Sequence, residues 1–384
     1  MSSGKNGKRL DRVLVVDDNA VNLRILCQTL ESNGYDPLVA KDGETALSVV
    51  RRGGPELILL DIMMPGIDGY EVCRQLKEDQ ATRDIPVIFL SALSETKDKI
   101  RGLHLGAVDY ISKPFQPHEV IARVNTHLTV YRLRQELQAQ KNELERELQI
   151  VAREQRNLLP RRLPDINGLK LSVLYETSRY AGGDYYDIVQ LQDDGCGILV
   201  ADAAGHSTQA AVLMAMICAL FRAYPGQPLE PDEVLHYLNK NLCKLTEESF
   251  VTAVYAVYDP GTKTLRFARA GHQPPLLYRP ADQKKIALTG KGNFPLGVDD
   301  FDSVQVAETK LVPGDRLIFY TDGITEQSDV KGELYGEKRL EEQIAGDWGD
   351  NPQEIVDAIR EDVSHFAGDL PPDDDQLLLL AIVQ

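Results

Sequence analysis

Between Arg12 and Leu128 the chain alternates short apolar runs with amphipathic stretches. The runs RVLVVD, DPLVA, ELILLD, IPVIFLS and AVDYIS are rich in Val, Ile and Leu. Such unbroken apolar character belongs to strands buried on both faces. Helical spacing separates them, as in Leu23, Leu26, Cys27 and Leu30, closed by Gly34. Five strands alternating with helices predict an α/β doubly wound parallel sheet. Ligands of such a sheet sit outside the carboxyl ends of its strands.

The texture changes at Thr129. VYRLRQELQAQKNELERELQIVAREQRNLL holds neither Gly nor Pro and is dense in Glu, Gln, Arg and Leu. Apolar or tolerated positions fall at Val130, Leu133, Leu137, Gln140, Leu144, Leu148, Val151, Gln155 and Leu158. The steps are three and four, with one four-four step around Leu144, which predicts a heptad seam slightly unwound at its middle. A parallel dimeric coiled coil uses such a seam; the other reading is one amphipathic helix packed on its own domain. Gln140 and Gln155 weaken the seam, which suits a connector that rearranges.

After Pro160 the pattern shortens again. LKLSVLYE, CGILVAD, FVTAVYAVYD, KTLRFARA, DRLIFYTD and LLLLAIV are β-type, and Thr208–Tyr224 and Pro231–Thr246 are helical. The blocks mix without strict alternation, so an α+β domain with antiparallel sheets is expected. The resulting division is a flexible N-terminus over 1–11, an α/β domain over 12–128, a helical linker over 129–160 and a second domain over 161–384.

Composition narrows the partners. An apolar fraction of 43% is enough for real cores, while a net charge of −17 opposes binding to nucleic acid. The five cysteines form no C-x-x-C, which suits a reducing compartment, and no apolar run approaches a membrane span. A soluble cytoplasmic protein with neither a nucleic-acid nor a membrane partner is expected.

Asp17 and Asp18 end the first apolar run and Asp61 the third, so the sheet brings them together at its carboxyl edge. Three carboxylates there repel unless a hard cation lies between them, and oxygen-only ligation suits magnesium. Ser91 ends the fourth run, and Lys113 follows the fifth, before Pro114. An acidic nest with one hydroxyl and one ammonium can handle a phosphoryl group. With VVDDN, LLDIMMPGIDGYEV, LSA and DYISKPF, the region resembles the receiver domain of bacterial two-component response regulators. That resemblance implies Asp61 as phosphoacceptor, with Asp17, Asp18, Asp61 and the Met63 carbonyl holding Mg2+. It also implies Lys113 on the phosphoryl oxygens beside a cis bond to Pro114, and Ser91 and Tyr110 as hydroxyl and aromatic switch positions. The implied phosphodonor is a sensor histidine kinase. An Asp carboxylate is a competent nucleophile toward phosphorus, and the added charge would draw in Ser91 and open room for the ring.

The second domain carries its own acids beside small residues: Asp184 in AGGDYYD, Asp202 in ADAAGHS, Asp322 in LIFYTDGITE, and Asp373, Asp374 and Asp375 before the last run. Each alone reads as a turn residue. As a set without clustered Cys or His they imply magnesium or manganese, in a centre where a metal-bound water is the nucleophile. With ARAGHQPPLLY, FPLGV and DDQLLLL, the region resembles the bacterial PPM serine/threonine phosphatases of sporulation and stress-response signalling. The resemblance implies a sandwich of two antiparallel sheets flanked by helices. It implies two Mn2+ or Mg2+ ions bridged by Asp184 and Asp202, assisted by the Ala203 carbonyl and completed by Asp322 and Asp374, with Asp373 as second choice.

Departures from the family pattern are local. Ser207 stands where the family has Gly, and Leu377 where it has Thr. His206 either acts near the leaving alcohol or caps the following helix, and His272 carries the same ambiguity. Arg179 either binds substrate phosphate or is an exposed strand residue. The expected function is a response regulator whose phosphorylation at Asp61 controls a metal-dependent protein serine/threonine phosphatase. The expected substrate is an anti-sigma-factor antagonist, and the expected assembly a homodimer through the linker. The alternative, carried by Ser207, is a phosphorylation-gated pseudophosphatase that binds or sequesters a signalling partner without catalysis.

Overall fold

The structure is a computed structural model that describes residues 10–91, 101–178, 181–205, 208–246, 249–290, 292–301 and 303–384. It divides into two compact units, Met1–Glu143 and Leu144–Gln384.

In the first unit β1 (Arg12–Val16), β2 (Asp36–Ala40), β3 (Leu57–Asp61), β4 (Val87–Ser91) and β5 (Asp109–Ser112) pair in parallel in the order β2-β1-β3-β4-β5. The chain reverses direction across the sheet between β1 and β3, which puts the ends of those two strands at a crevice. Alternation splits each strand between two cores. Leu14, Val16, Ile58 and Leu60 pack with Val72, Cys73 and Leu76; Val13, Val15, Leu57 and Leu59 pack with Leu23, Leu26 and Leu30. Helices α1 (Ala20–Ser32), α2 (Gly43–Gly53) and α3 (Gly69–Glu78) each begin on a side-chain cap, from Asn19, Asp42 and Asp68.

Helix α4 runs from Pro117 to Arg156. Val120, Val124 and Leu128, four residues apart, close the core against Ile111 of β5. The expected join at 128/129 therefore falls inside a helix and no break marks it. Beyond it the seam positions Val130, Leu133, Leu137 and Leu144 are 57 to 68% exposed. The last two seam positions behave differently. Gln155 is buried and Leu158 packs against the core of the second unit, so both leave the seam that the heptad spacing assigns them to.

The second unit holds two antiparallel sheets. One orders β13 (Ala307–Lys310), β10 (Thr264–Ala270), β9 (Val251–Asp259), β8 (Cys196–Ala203) and β7 (Asp184–Gln190). The other orders β12 (Lys284–Ala287), β11 (Leu276–Arg279), β14 (Arg316–Tyr320), β15 (Gln376–Val383) and β6 (Leu169–Glu176). Every residue of β15 is buried. Its Leu377, Leu379, Ala381 and Val383 join the core that includes Leu199 and Phe267 of the other sheet, with α5 (Thr208–Arg222) and α6 (Pro231–Leu242). Leu378, Leu380 and Ile382 pack against α8 (Gly336–Ile344) and α9 (Pro352–Ala367). Between β14 and α8 lies the single turn α7 (Asp322–Thr325). Strands β7, β11, β12 and β13 and helices α7 to α9 are additions to the elements that the sequence pattern marks. No described helix is long and apolar enough to cross a membrane.

One ion pair is enclosed in this unit. Arg279 donates from Nε and Nη2 to Asp315 at 2.9 and 2.8 Å, and the Val312 N–H adds a bond of 2.9 Å. Asp315 is fully buried. Removing one partner of such a pair strands the other, so Asp315→Ala is expected to cost about 3 kcal/mol in urea unfolding. Breaking the exposed Lys285–Glu341 pair by Lys285→Ala should cost under about 1 kcal/mol, and equal losses would contradict this ranking.

Candidate functional site

In the first unit Asp17, Asp18 and Asp61 bring carboxylate oxygens within 4.8 Å of one another, the only such trio among the described residues. The buried Asp17 is oriented by the Asn19 N–H at 2.9 Å and by Asn22 Nδ2, at 3.0 Å from both oxygens. Asn22, one turn into α1, is absent from the sequence-predicted set. Lys113 Nζ donates to Asp17 at 2.8 Å and to Asp61 at 2.6 Å, and its bond to Pro114 is cis. The Met63 N–H reaches Asp61 at 3.4 Å. Burial raises the Asp61 pKa even against the neighbouring ammonium. Burial opposes the Lys113 charge, but its bonds to Asp17 and Asp61 raise its pKa on balance. One cation facing three acids leaves the nest negative, as a hard divalent ion requires. Ser91 and Tyr110 line one small cleft with Ile62, Phe89, Gly102 and Asp109.

In the second unit Asp184 opens β7 and stands directly opposite Asp202 of β8. Like charges opposed in this way destabilise a sheet. Burial, and then the Asp202 charge, raises Asp184 well above the carboxylate range. Burial also pushes Asp202 up to about 7, aided by the charges of Asp322, Asp374 and Asp375. Asp322, the first residue of α7, is raised by burial, by Glu326 and by Asp374, and accepts a bond from Gln273. The four acids singled out by their strand-edge positions thus share one electrostatic neighbourhood. Among the described residues no ion pair involves Asp184, Asp202, Asp322 or Asp374.

The Asp373–Asp375 run divides its work. Asp373 is exposed and its Oδ2 accepts from the Ser328 N–H at 2.8 Å. The Asp374 carboxylate accepts from the Asp375 N–H at 2.8 Å. Asp375 is buried and accepts from the N–H groups of Ser178 at 2.9 Å and Gly183 at 2.6 Å. These bonds make Asp375 a brace between segments rather than an open donor. A Cβ at Gly323 would stand 1.9 Å from the Asp375 carbonyl oxygen, so only glycine lets α7 approach.

Thr321 is a further residue that the sequence pattern passes over. Its hydroxyl donates to Asp184 Oδ2 at 2.7 Å and accepts from the Leu377 N–H at 3.1 Å. Ala203, buried beside Asp202, donates its N–H to Gly183 O at 3.3 Å. His272 is a strut. Its Nε2 lies 3.1 Å from Tyr320 O, a pure acceptor, so Nε2 carries the proton and Nδ1 accepts from Thr252 Oγ1 at 2.8 Å. Burial holds its pKa down at about 4, and the neutral ring ties β9 to β14 beside the acids. Arg179, His206 and Ser207 lie outside the described residues.

The donor set is all oxygen, without thiolate or imidazole, which fits magnesium or manganese and not zinc. The unbalanced burial of Asp184 and Asp202 fits divalent ions as the missing counter-charge.

Comparison with known proteins bears on both units. Residues 192–384 match the family described as Stage II sporulation protein E (SpoIIE), a span that begins after Asp184 and includes Asp202, Asp322 and Asp374. Residues 13–125 match the family described as Response regulator receiver domain. The Phosphate regulon transcriptional regulatory protein PhoB of Escherichia coli (strain K12) is 46% identical over 113 residues, 29% of this chain and 49% of that protein. Response regulator PleD of Caulobacter vibrioides (strain NA1000 / CB15N) is 47% identical over 122 residues, 32% of this chain and 27% of that protein. The chain therefore spans half or less of the length of these curated relatives. Among solved structures, the SiaA-PP2C domain of Pseudomonas aeruginosa aligns over 64% of this chain and 99% of that chain. Its TM-score is 0.57 at 20% identity, a likeness of fold.

Asp202→Asn tests the electrostatics without reference to turnover. A raised pKa in the folded state favours folding at low pH, and that contribution is lost as pH rises from about 4 to about 7. In EDTA the second unit of the variant is expected to melt above the wild type at pH 8 and level with it near pH 4. Calorimetry showing the variant less stable at pH 8 would refute the assigned strain. Added manganese should raise the melting temperature of that unit in the wild type and not in the variant.

Proposed function

The chain belongs to the family described as Stage II sporulation protein E and carries a response regulator receiver domain ahead of its phosphatase domain; we propose that phosphorylation at Asp61 controls metal-dependent hydrolysis of phosphoserine or phosphothreonine on a protein. The observation that carries the hydrolytic half is the confrontation of buried Asp184 with half-buried Asp202, with no cationic side chain paired to either among the described residues.

In the receiver, Asp61 would attack the phosphorus of a phosphohistidine on a sensor histidine kinase, forming the acyl phosphate as the P–N bond breaks and the imidazole leaves. Asp17, Asp18, Asp61 and the Met63 carbonyl would hold Mg2+. Lys113, already 2.6 Å from Asp61, would take the charge of the new phosphoryl oxygens. Ser91 and Tyr110 share the adjoining cleft, so the hydroxyl and the ring can answer the added charge together.

In the phosphatase domain Asp184, Asp202, the Ala203 carbonyl, Asp322 and Asp374 would hold two Mn2+ or Mg2+ ions. Bound ions supply a water activated for attack on phosphorus. The chain's own part is orientation. Thr321 fixes one oxygen of Asp184, Gln273 bonds Asp322, and Asp375 braces the loop before Asp184. Asp374 is preferred to Asp373 as a donor because the Asp373 carboxylate is turned to Ser328.

The proposed substrate is a phosphorylated anti-sigma-factor antagonist, met in the cytoplasm, and the proposed assembly is a homodimer. The exposed seam at Val130, Leu133, Leu137 and Leu144 supports that assembly.

Asp322→Ala is expected to lower manganese-dependent release of phosphate from a phosphoserine protein by about 100-fold or more, since even residues behind a metal ligand cost 10–100-fold. Undiminished turnover would remove the two-metal assignment. Beryllofluoride should change the wild-type rate and leave the rate of Asp61→Asn unaltered. An equal response in both would separate the output from the receiver.

A further inference from the structure

Along α4 the usual order of burial is inverted. Val130, Leu133, Leu137, Leu144 and Ile150 are 57 to 68% exposed, yet Gln155 is 5% exposed. A buried amide is costly unless both of its ends are bonded. Both are bonded here, and to one residue: Gln155 Nε2 donates to the Gly182 carbonyl, and the Gly182 N–H donates to Gln155 Oε1 at 3.0 Å. The side chain copies the paired bonds of an antiparallel strand and pins the residue type with the greatest backbone freedom.

Gly182 is held from the other side as well. A Cβ there would lie 2.2 Å from Asp375 Oδ2. The next residue, Gly183, donates to that same oxygen at 2.6 Å, and its carbonyl accepts from Ala203 at 3.3 Å. Asp184 follows. The Gly182–Gly183 segment thus bears on Asp184, Asp375 and Ala203 at once, and Gln155 is its outer clamp.

A second anchor holds the helix end independently. Arg222 Nη2 donates to Leu158 O at 2.6 Å, and its Nε pairs at 3.1 Å with Asp187, which also accepts from Tyr185 at 2.6 Å. Loss of the Gln155 amide therefore leaves the end of the linker attached.

We propose that Gln155 is a positioning residue for the phosphatase metal centre, setting the Asp184 and Asp375 carboxylates through the Gly182–Gly183 segment. This rests on the metal-dependent reading above. The linker then reaches the chemistry through one amide on the helix that begins in the receiver unit at Pro117.

The test uses the full chain, with manganese chloride as the only ligand in calorimetric titration at neutral pH. Gln155→Met keeps the volume and removes both bonds; Gln155→Leu serves if the methionine chain does not fold. Asp202→Asn identifies which binding event belongs to the phosphatase centre. Gln155→Met is expected to weaken that event about tenfold, within the range for residues that orient metal ligands. Its melting temperature in EDTA should stay close to the wild type, kcat on a phosphoserine protein should recover at saturating manganese, and KM should be unchanged. Gln135→Met, on the exposed part of the same helix and outside the seam, should alter none of these. Wild-type manganese affinity in Gln155→Met, with or without a lower melting temperature, overturns the proposal. If instead wild type and Asp202→Asn bind manganese identically, the metal-centre reading fails first, and that outcome is distinct.

Discussion

Two carboxylates facing each other across neighbouring strands are the constraint that the second unit is arranged around. Buried Asp184 and half-buried Asp202 occupy opposed positions of β7 and β8, where little water can separate their charges. No lysine or arginine side chain is paired with either among the described residues. The surroundings are correspondingly specialised. Ala203 and two glycines leave space, Thr321 bonds one oxygen, and His272 stays neutral instead of competing for the charge. Such an arrangement has its acids already placed for divalent cations and is strained without them.

The first unit meets a similar problem with a different balance. Its three carboxylates gather where β1 and β3 end, but Lys113 bonds two of them directly. A flexible ammonium on a four-carbon stem can transfer its bonds to an arriving phosphoryl group. Among the described residues the acids of the second unit have no paired cation of that kind, so their charge favours ions that enter.

Between these chemistries the linker helix has two characters. Its middle exposes apolar side chains at heptad spacing, the pattern of a surface awaiting a second helix. Its end gives up that pattern at Gln155 and Leu158, which turn toward β7 and α5. A glutamine in a heptad seam and a glutamine clamping a loop look alike in sequence, because both occupy one face of one helix.

What could be read from the chain alone was whatever depends on neighbours in sequence. Apolar runs marked β1 to β6, β8 to β10, β14 and β15, helical spacing marked α1, α5 and α6, and acids at strand ends marked both centres. The pattern also held α9 in plain form, with Asn351 and Pro352 before Ile355, Val356, Ile359 and Val363. Strand β7 was hidden because its start, DYYD, is polar and aromatic, although its first five residues are all buried. Tertiary structure alone decided the division of labour in Asp373–Asp375, the bond from Thr321 to Asp184, and the turn of Gln155 onto Gly182. Those contacts join residues 192, 137 and 27 positions apart. Local spacing says which groups a segment carries, and only the packing of sheets and helices says which partner each group meets.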